Sequence, residues 1–230
     1  MHCKQNLLKN ILKTITGHRD TVKVRRDLHC RGIMKHLWLT YNPKKPRKLL
    51  KSAAPYVFTS KEFDIFVSTI ESLKAPSGHI SNIAQYIQKK KFGGLKSHDY
   101  HVLMNQILPL GLTSLLSPGP IMAVMRIPKV IRRICNKVWN SIEFQGLQLD
   151  IARSMALLEL HFPPSFFDIL THLVYHLLEE PDLCGPVFTR WMYTVERYMK
   201  TLKHYMRNMA RRDASMAEGY VKDECLGFIT

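Results

Sequence analysis

Apolar side chains recur at the helical period along almost the whole chain, and that recurrence most narrows what the chain can fold into. Leu7, Leu8, Ile11, Leu12 and Ile15 lie on one stripe of a 3.6-residue repeat, with Gly17 behind them as a stop signal. The spacing returns in Phe63, Phe66, Ile70 and Leu73, opened by a Thr59–Glu62 capping box and closed by the breaker at 75–78. Residues 18–35 read as a strongly basic helix and 80–88 as a short one. Further helices are expected from Ser97 toward Leu108, over 121–139 and 143–160, from Pro163–Pro164 to Glu180, over 187–208, and after Asp213. No convincing run of alternating residues argues for a sheet. The fold class is all-α, leaving room for an isolated short strand.

One segment breaks the pattern. Residues 40–55 (TYNPKKPRKLLKSAAP) combine three prolines with clustered Lys and Arg and read as an extended linker. The organisation expected is therefore a segment over 1–39, a basic linker over 40–58 and a helical domain over 59–230.

Charge adds a partner. Residues 1–100 hold 20 basic and 6 acidic side chains, a net of +14, whereas residues 101–230 hold 14 and 12, a net of +2. Such an excess favours a polyanion, DNA first. The phosphate-contact candidates are Arg25, Arg26, Lys44, Lys45, Arg47, Lys48, Lys89, Lys90 and Lys91. Aromatics are not interleaved with them, so contact is expected to be electrostatic and tolerant of sequence. The run at 44–48 also suits a nuclear-localisation signal, which places the protein in the nucleus, with the cytoplasm as the alternative. Five scattered cysteines without a paired spacing fit a reducing compartment. Residues 100–125 carry no charge, but Pro109, Gly111, Pro118, Gly119 and Pro120 interrupt them, so no membrane partner is expected.

Asp168, His172, His176 and Glu180 are spaced four apart and would form a ladder on one helix face. His172 and His176, with Asp168, are the weak metal candidates. A polar helix face of hydrogen-bonded histidines is the preferred reading, so no tightly held zinc is expected. His98 and His101 flank Asp99 beside Ser97, where capping is the expected role. No phosphate-binding glycine loop, nucleophile elbow or zinc-finger spacing occurs.

Three long stretches, GGLKSHDYHVLMNQILPL at 93–110, LLELHFPPSFFDILTHLVYHL at 157–177 and LCGPVFTRWMYTVERYMKTLK at 183–203, resemble the uncharacterised plant domain that follows the catalytic core of CACTA (En/Spm-class) transposases. MHCKQNLLKNILKTI at 1–15 and DTVKVRRDL at 20–28 resemble the tail of that core. APYVFTSKEFDIF at 54–66 and LKAPSGHISNI at 73–83 resemble the joining region. The resemblance implies a fragment of an RNase H-like transposase, a fold whose three carboxylates hold two Mg²⁺ ions for phosphodiester chemistry. It also places Met1 just past the second catalytic aspartate. Glu196 is then the candidate third carboxylate, with Glu159 as the alternative, while an ordinary surface pair with Lys200 is the competing reading of Glu196. Thr194 departs from the family, which usually has proline there. The expectation is a truncated transposase-derived protein with residual DNA binding, no complete catalytic site, no cofactor of its own, and other transposase-derived proteins as further partners. The alternative is a helical module co-opted for protein interaction.

Overall fold

The computed structural model describes residues 2–43, 45–73, 83–89, 94–112, 115–138 and 141–229. It is predominantly helical, with a single two-stranded ribbon among the described residues. The chain divides into two units, Met1–Phe188 and Thr189–Thr230.

The first unit is built around α1 (His2–Ile15). Leu7, Leu8, Ile11, Leu12 and Ile15 are all fully buried, as their stripe requires. Gly17 adopts φ 81°, and the N–H groups of Gly17 and His18 return to the carbonyls of Thr14 and Lys13, a Schellman closure that the left-handed glycine permits. α2 (Val22–Cys30) is capped by Thr21, whose hydroxyl accepts from the Val24 N–H.

The stretch expected to be a linker is structured. β1 (Thr40–Asn42) and β2 (Lys45–Leu50) pair antiparallel, Thr40 with Leu50 and Tyr41 with Leu49, and the register breaks between Tyr41 and Asn42. Prolines argue against a strand, but in a two-stranded ribbon each strand has an unpaired edge, where a missing N–H is tolerated. Beyond the ribbon, Ala54, Tyr56 and Phe58 are buried, and the Phe58 N–H bonds the Ile15 carbonyl at 2.8 Å. Residues 54–58 therefore belong to the core, and α1 shares that core with the helices that follow.

α3 (Ser60–Ser72) opens with the expected capping box: Glu62 accepts from the Thr59 N–H at 2.7 Å, and Thr59 accepts from the Glu62 N–H. Phe66, Val67 and Ile70 are buried, while Leu73 at the frayed end is exposed. After α4 (Ile83–Gln88), the helix from Ser97 runs as α5 (Ser97–Val102), a π-helical turn (Leu103–Ile107) and α6 (Leu108–Leu112). Gly111 lets α6 approach α3: a Cβ there would lie 2.8 Å from the Phe66 ring.

α7 (Pro118–Ile134) and α8 (Ser141–His161) pack together, with Val130, Ile134, Leu147 and Ile151 forming a second cluster. Pro128 is interior to α7 and buried, where it removes one backbone donor.

The single helix expected from 163 to 180 is three pieces: a 3₁₀ turn (Pro164–Phe166), α9 (Ile169–His176) and α10 (Glu179–Cys184). Asp168 restarts the chain by capping α9, accepting from the Thr171 N–H at 3.0 Å. The Asn10 side chain donates to the Phe166 carbonyl and to Thr171, fastening this corner to α1.

The second unit is a hairpin of α11 (Tyr193–Tyr205) and α12 (Arg212–Ile229). The Ser215 hydroxyl accepts from the N–H groups of Arg207 and Asn208 and closes the connection. Tyr205 lies over Gly219, where a Cβ would meet its Cβ at 2.4 Å, and its hydroxyl donates to Asp223. Neither helix contains a buried residue. α12 is longer than α11. Among the described residues, no helix is long and apolar enough to cross a membrane.

Candidate nucleic-acid interface

Only two α2 side chains turn inward, Arg25 and Leu28. Arg25 is 0% exposed. Its Nε and Nη2 donate to the two oxygens of Asp20 at 2.5 and 2.8 Å, Nη1 to the Leu37 carbonyl at 2.8 Å, and Nη2 to the Ser52 carbonyl at 3.0 Å. The Lys51 ammonium adds a contact to Asp20 at 3.1 Å. Burial pushes the Asp20 carboxyl up, but the hydrogen bonds and charges of Arg25 and Lys51 outweigh it and hold the group below the usual carboxylate range. Arg25 thus leaves the phosphate-contact set, since its guanidinium has no face open to a ligand. Instead it ties α2, the turn ahead of β1 and the chain leaving β2 together.

The other α2 cations face outward. Arg26 is exposed as expected, and so are Lys23, three residues earlier, and Lys35. The i,i+3 spacing of Lys23 with Arg26, opposite Leu28, is the signal in the sequence that puts those two on one outward face of α2. Arg31 is exposed but engages Asp27 at 2.9 Å. The backbone places Lys45, Arg47 and Lys48 in β2. Lys89 is exposed just past α4. Lys44, Lys90 and Lys91 lie outside the described residues.

Two of the acids, Asp150 and Asp168, are held by arginines. Glu196 is exposed on the first turn of α11, in the second unit, and makes no ion pair with Lys200 among the described residues. Glu159 is exposed on α8. Asp150 on α8 pairs with Arg133 on α7 at 2.6 Å. Asp168 is spent on the α9 cap and on Arg19 at 3.1 Å. Burial raises its carboxyl, but the Thr171 N–H and hydroxyl and the Arg19 charge bring it below its ordinary value. These residues do not fit the two-Mg²⁺ carboxylate site that the resemblance implies.

The four-membered ladder is broken in the same way. Asp168 precedes α9, Glu180 follows it on α10, and only His172 and His176 remain on one helix. Their Nε2 atoms stand 3.1 Å apart, and the Glu179 carboxylate lies 3.4 Å from His176 Nδ1. Among the described residues, no group of three or more His, Cys, Asp or Glu could share a metal.

Asp99 takes the capping role foreseen, accepting from the Lys96 N–H at 3.0 Å, which puts the cap one residue before Ser97. His101 has an unforeseen role: its Nδ1 lies 2.6 Å from Lys4 Nζ, and its Nε2 lies 3.2 Å from the Asn105 amide in the π turn. Burial lowers Lys4 to about 8, and burial with the Lys4 charge lowers His101 to about 4. A neutral ring that accepts at Nδ1 carries its proton on Nε2. Turning the Asn105 amide by a half-rotation lets its unsatisfied buried oxygen accept that proton.

Residues 134–230 match a family described as "Domain of unknown function (DUF4218)", a domain found in plant transposase-related proteins. The match runs from the end of α7 through α12 and contains the stretches at 157–177 and 183–203. No curated protein and no solved structure matches the chain.

Proposed function

We propose that this chain is a CACTA-type transposase-derived protein that holds DNA electrostatically, without reading sequence and without cutting it, in the plant nucleus. The observation that carries the reading is the +14 net charge of residues 1–100, of which Lys23, Arg26 and Lys35 are exposed. Counterion release from the duplex gives such a surface its affinity. The non-catalytic part rests on the acids: Asp150 and Asp168 are held by arginines. Neutralising Lys23, Arg26 and Lys35 together to Gln tests the interface. Binding of a fluorescent duplex at low salt should weaken at least tenfold, each lost contact removing about one unit of salt slope; unchanged affinity would remove α2 from the interface.

A second reading is favoured by one feature. The α11–α12 hairpin buries no residue, and Val195, Tyr198, Val221, Leu226 and Phe228 are all exposed. Two helices that bury nothing are marginal alone, so the hairpin suits a module completed by a protein partner, another transposase-derived chain among them. Capture of such a chain that is lost in a Val221→Asp/Phe228→Asp variant supports this reading; capture that survives the variant contradicts it.

A further inference from the structure

The last turn of α9 carries a preformed chelate. His172 and His176 are one turn apart, both exposed, with ring centroids 4.9 Å apart and planes inclined at 75°. Their Nε2 atoms, not their Nδ1 atoms, face each other at 3.1 Å. An ion bound at the usual metal–imidazole length of about 2.0–2.1 Å to both would subtend roughly 100°, between the square-planar and tetrahedral angles. At that distance one Nε2–H donates to the other ring's Nε2, and a divalent ion entering the pair takes the place of that proton.

The surroundings suit a chelate. The Glu179 carboxylate at 3.4 Å from His176 Nδ1 can accept a hydrogen bond from Nδ1–H, which leaves Nε2 as the nitrogen turned to a metal. Carboxylates commonly hold metal-binding histidines in this tautomer. The helix is anchored below the pair by the Asp168 cap and by Thr171, which is fully buried against Asn10. Asp168 is committed to Arg19 and Thr171 and adds no third ligand.

We infer that His172 and His176 form a two-nitrogen site for a first-row divalent transition ion, Cu²⁺ above Ni²⁺ and Zn²⁺, with water in the remaining positions. The donor set excludes Mg²⁺ and Ca²⁺, which take oxygen ligands. With two protein ligands the ion exchanges, unlike a structural zinc. It clips the final turn of an eight-residue helix, so α9 becomes more ordered when metal is present.

The test is calorimetric titration of the full chain with ZnCl₂ and with CuSO₄ in a weakly chelating buffer, beside His172→Gln, His176→Gln and Glu179→Gln. All three side chains are exposed, so the variants fold, which circular dichroism verifies. The chain should bind one equivalent more than either histidine variant, at an affinity on the order of micromolar for Zn²⁺ and tighter for Cu²⁺. Glu179→Gln should keep the site but weaken it about tenfold. Electron resonance of the Cu²⁺ form should show two imidazole nitrogens, a signal that is lost in each histidine variant. Equal stoichiometry and affinity in the chain and both histidine variants would overturn the assignment.

Discussion

Replacing Arg25 with Met separates a structural role from a DNA-contacting one. The wild-type guanidinium is wholly enclosed, and it bonds both Asp20 oxygens and the carbonyls of Leu37 and Ser52. Methionine removes those donors and leaves Asp20, 5% exposed, with Lys51 as its remaining cation. Breaking a buried pair from one side costs about 3–5 kcal/mol. The remaining contact from Lys51, whose own side chain is 42% exposed, holds the expected loss near the lower end, about 3 kcal/mol. Urea unfolding followed by circular dichroism reads this as a fall in midpoint at constant slope. Arg25→Lys should recover only part of the loss, because an ammonium cannot span both carboxylate oxygens and two carbonyls. Duplex binding below the unfolding transition should keep the wild-type salt slope. A variant of wild-type stability whose salt slope drops by about one unit would refute the clamp and return Arg25 to the phosphate contacts.

Three further outcomes are expected. Asn10→Ala removes the donor to Phe166 and Thr171 and should cost about 1–3 kcal/mol in the same unfolding assay, with α9 the first helix to lose hydrogen-exchange protection. His101 is held to about 4 in the folded chain against 6.5 ordinarily, so the unfolded chain binds the extra proton between those values; stability should fall as pH drops from 6.5 to 4, by about 1–2 kcal/mol once the half-exposed ring is discounted, and His101→Gln should flatten that limb. Incubation of a labelled duplex with the chain and Mg²⁺ or Mn²⁺ should leave it intact, whereas metal-dependent nicking abolished by Glu196→Ala would show a complete active site.

Short-range signals were the legible part of the fold. The α1 stripe, the Gly17 stop and the Thr59–Glu62 box each act within a turn or two of helix, and each appears where its spacing placed it. What escaped depends on distant partners. The prolines of residues 40–55 argued against a strand, but the pairing of Thr40 with Leu50 and the burial of Tyr56 and Phe58 decide that segment. Arg25 looked like its neighbour Arg26, because charge is visible in a sequence and burial is not; its acceptors lie five residues before it and 12 and 27 residues after it. The ladder failed for a local reason that was overlooked: Asp168 is a strong capping residue after two prolines and a Phe–Phe pair, and a cap ends one element before starting the next.

The most direct measurement for the central claim is fluorescence anisotropy of two duplexes of equal length, one with transposon-like ends and one of shuffled sequence, titrated with the chain between 50 and 200 mM salt. Six cations, Lys23, Arg26, Lys35, Lys45, Arg47 and Lys48, would give a slope of log affinity against log salt of about −5, a loss of roughly a thousandfold over that range. The account predicts this slope on both duplexes with affinities that agree within a few-fold. No detectable binding at 50 mM salt, or a preference for one duplex of a hundredfold or more that persists at 200 mM, would contradict it.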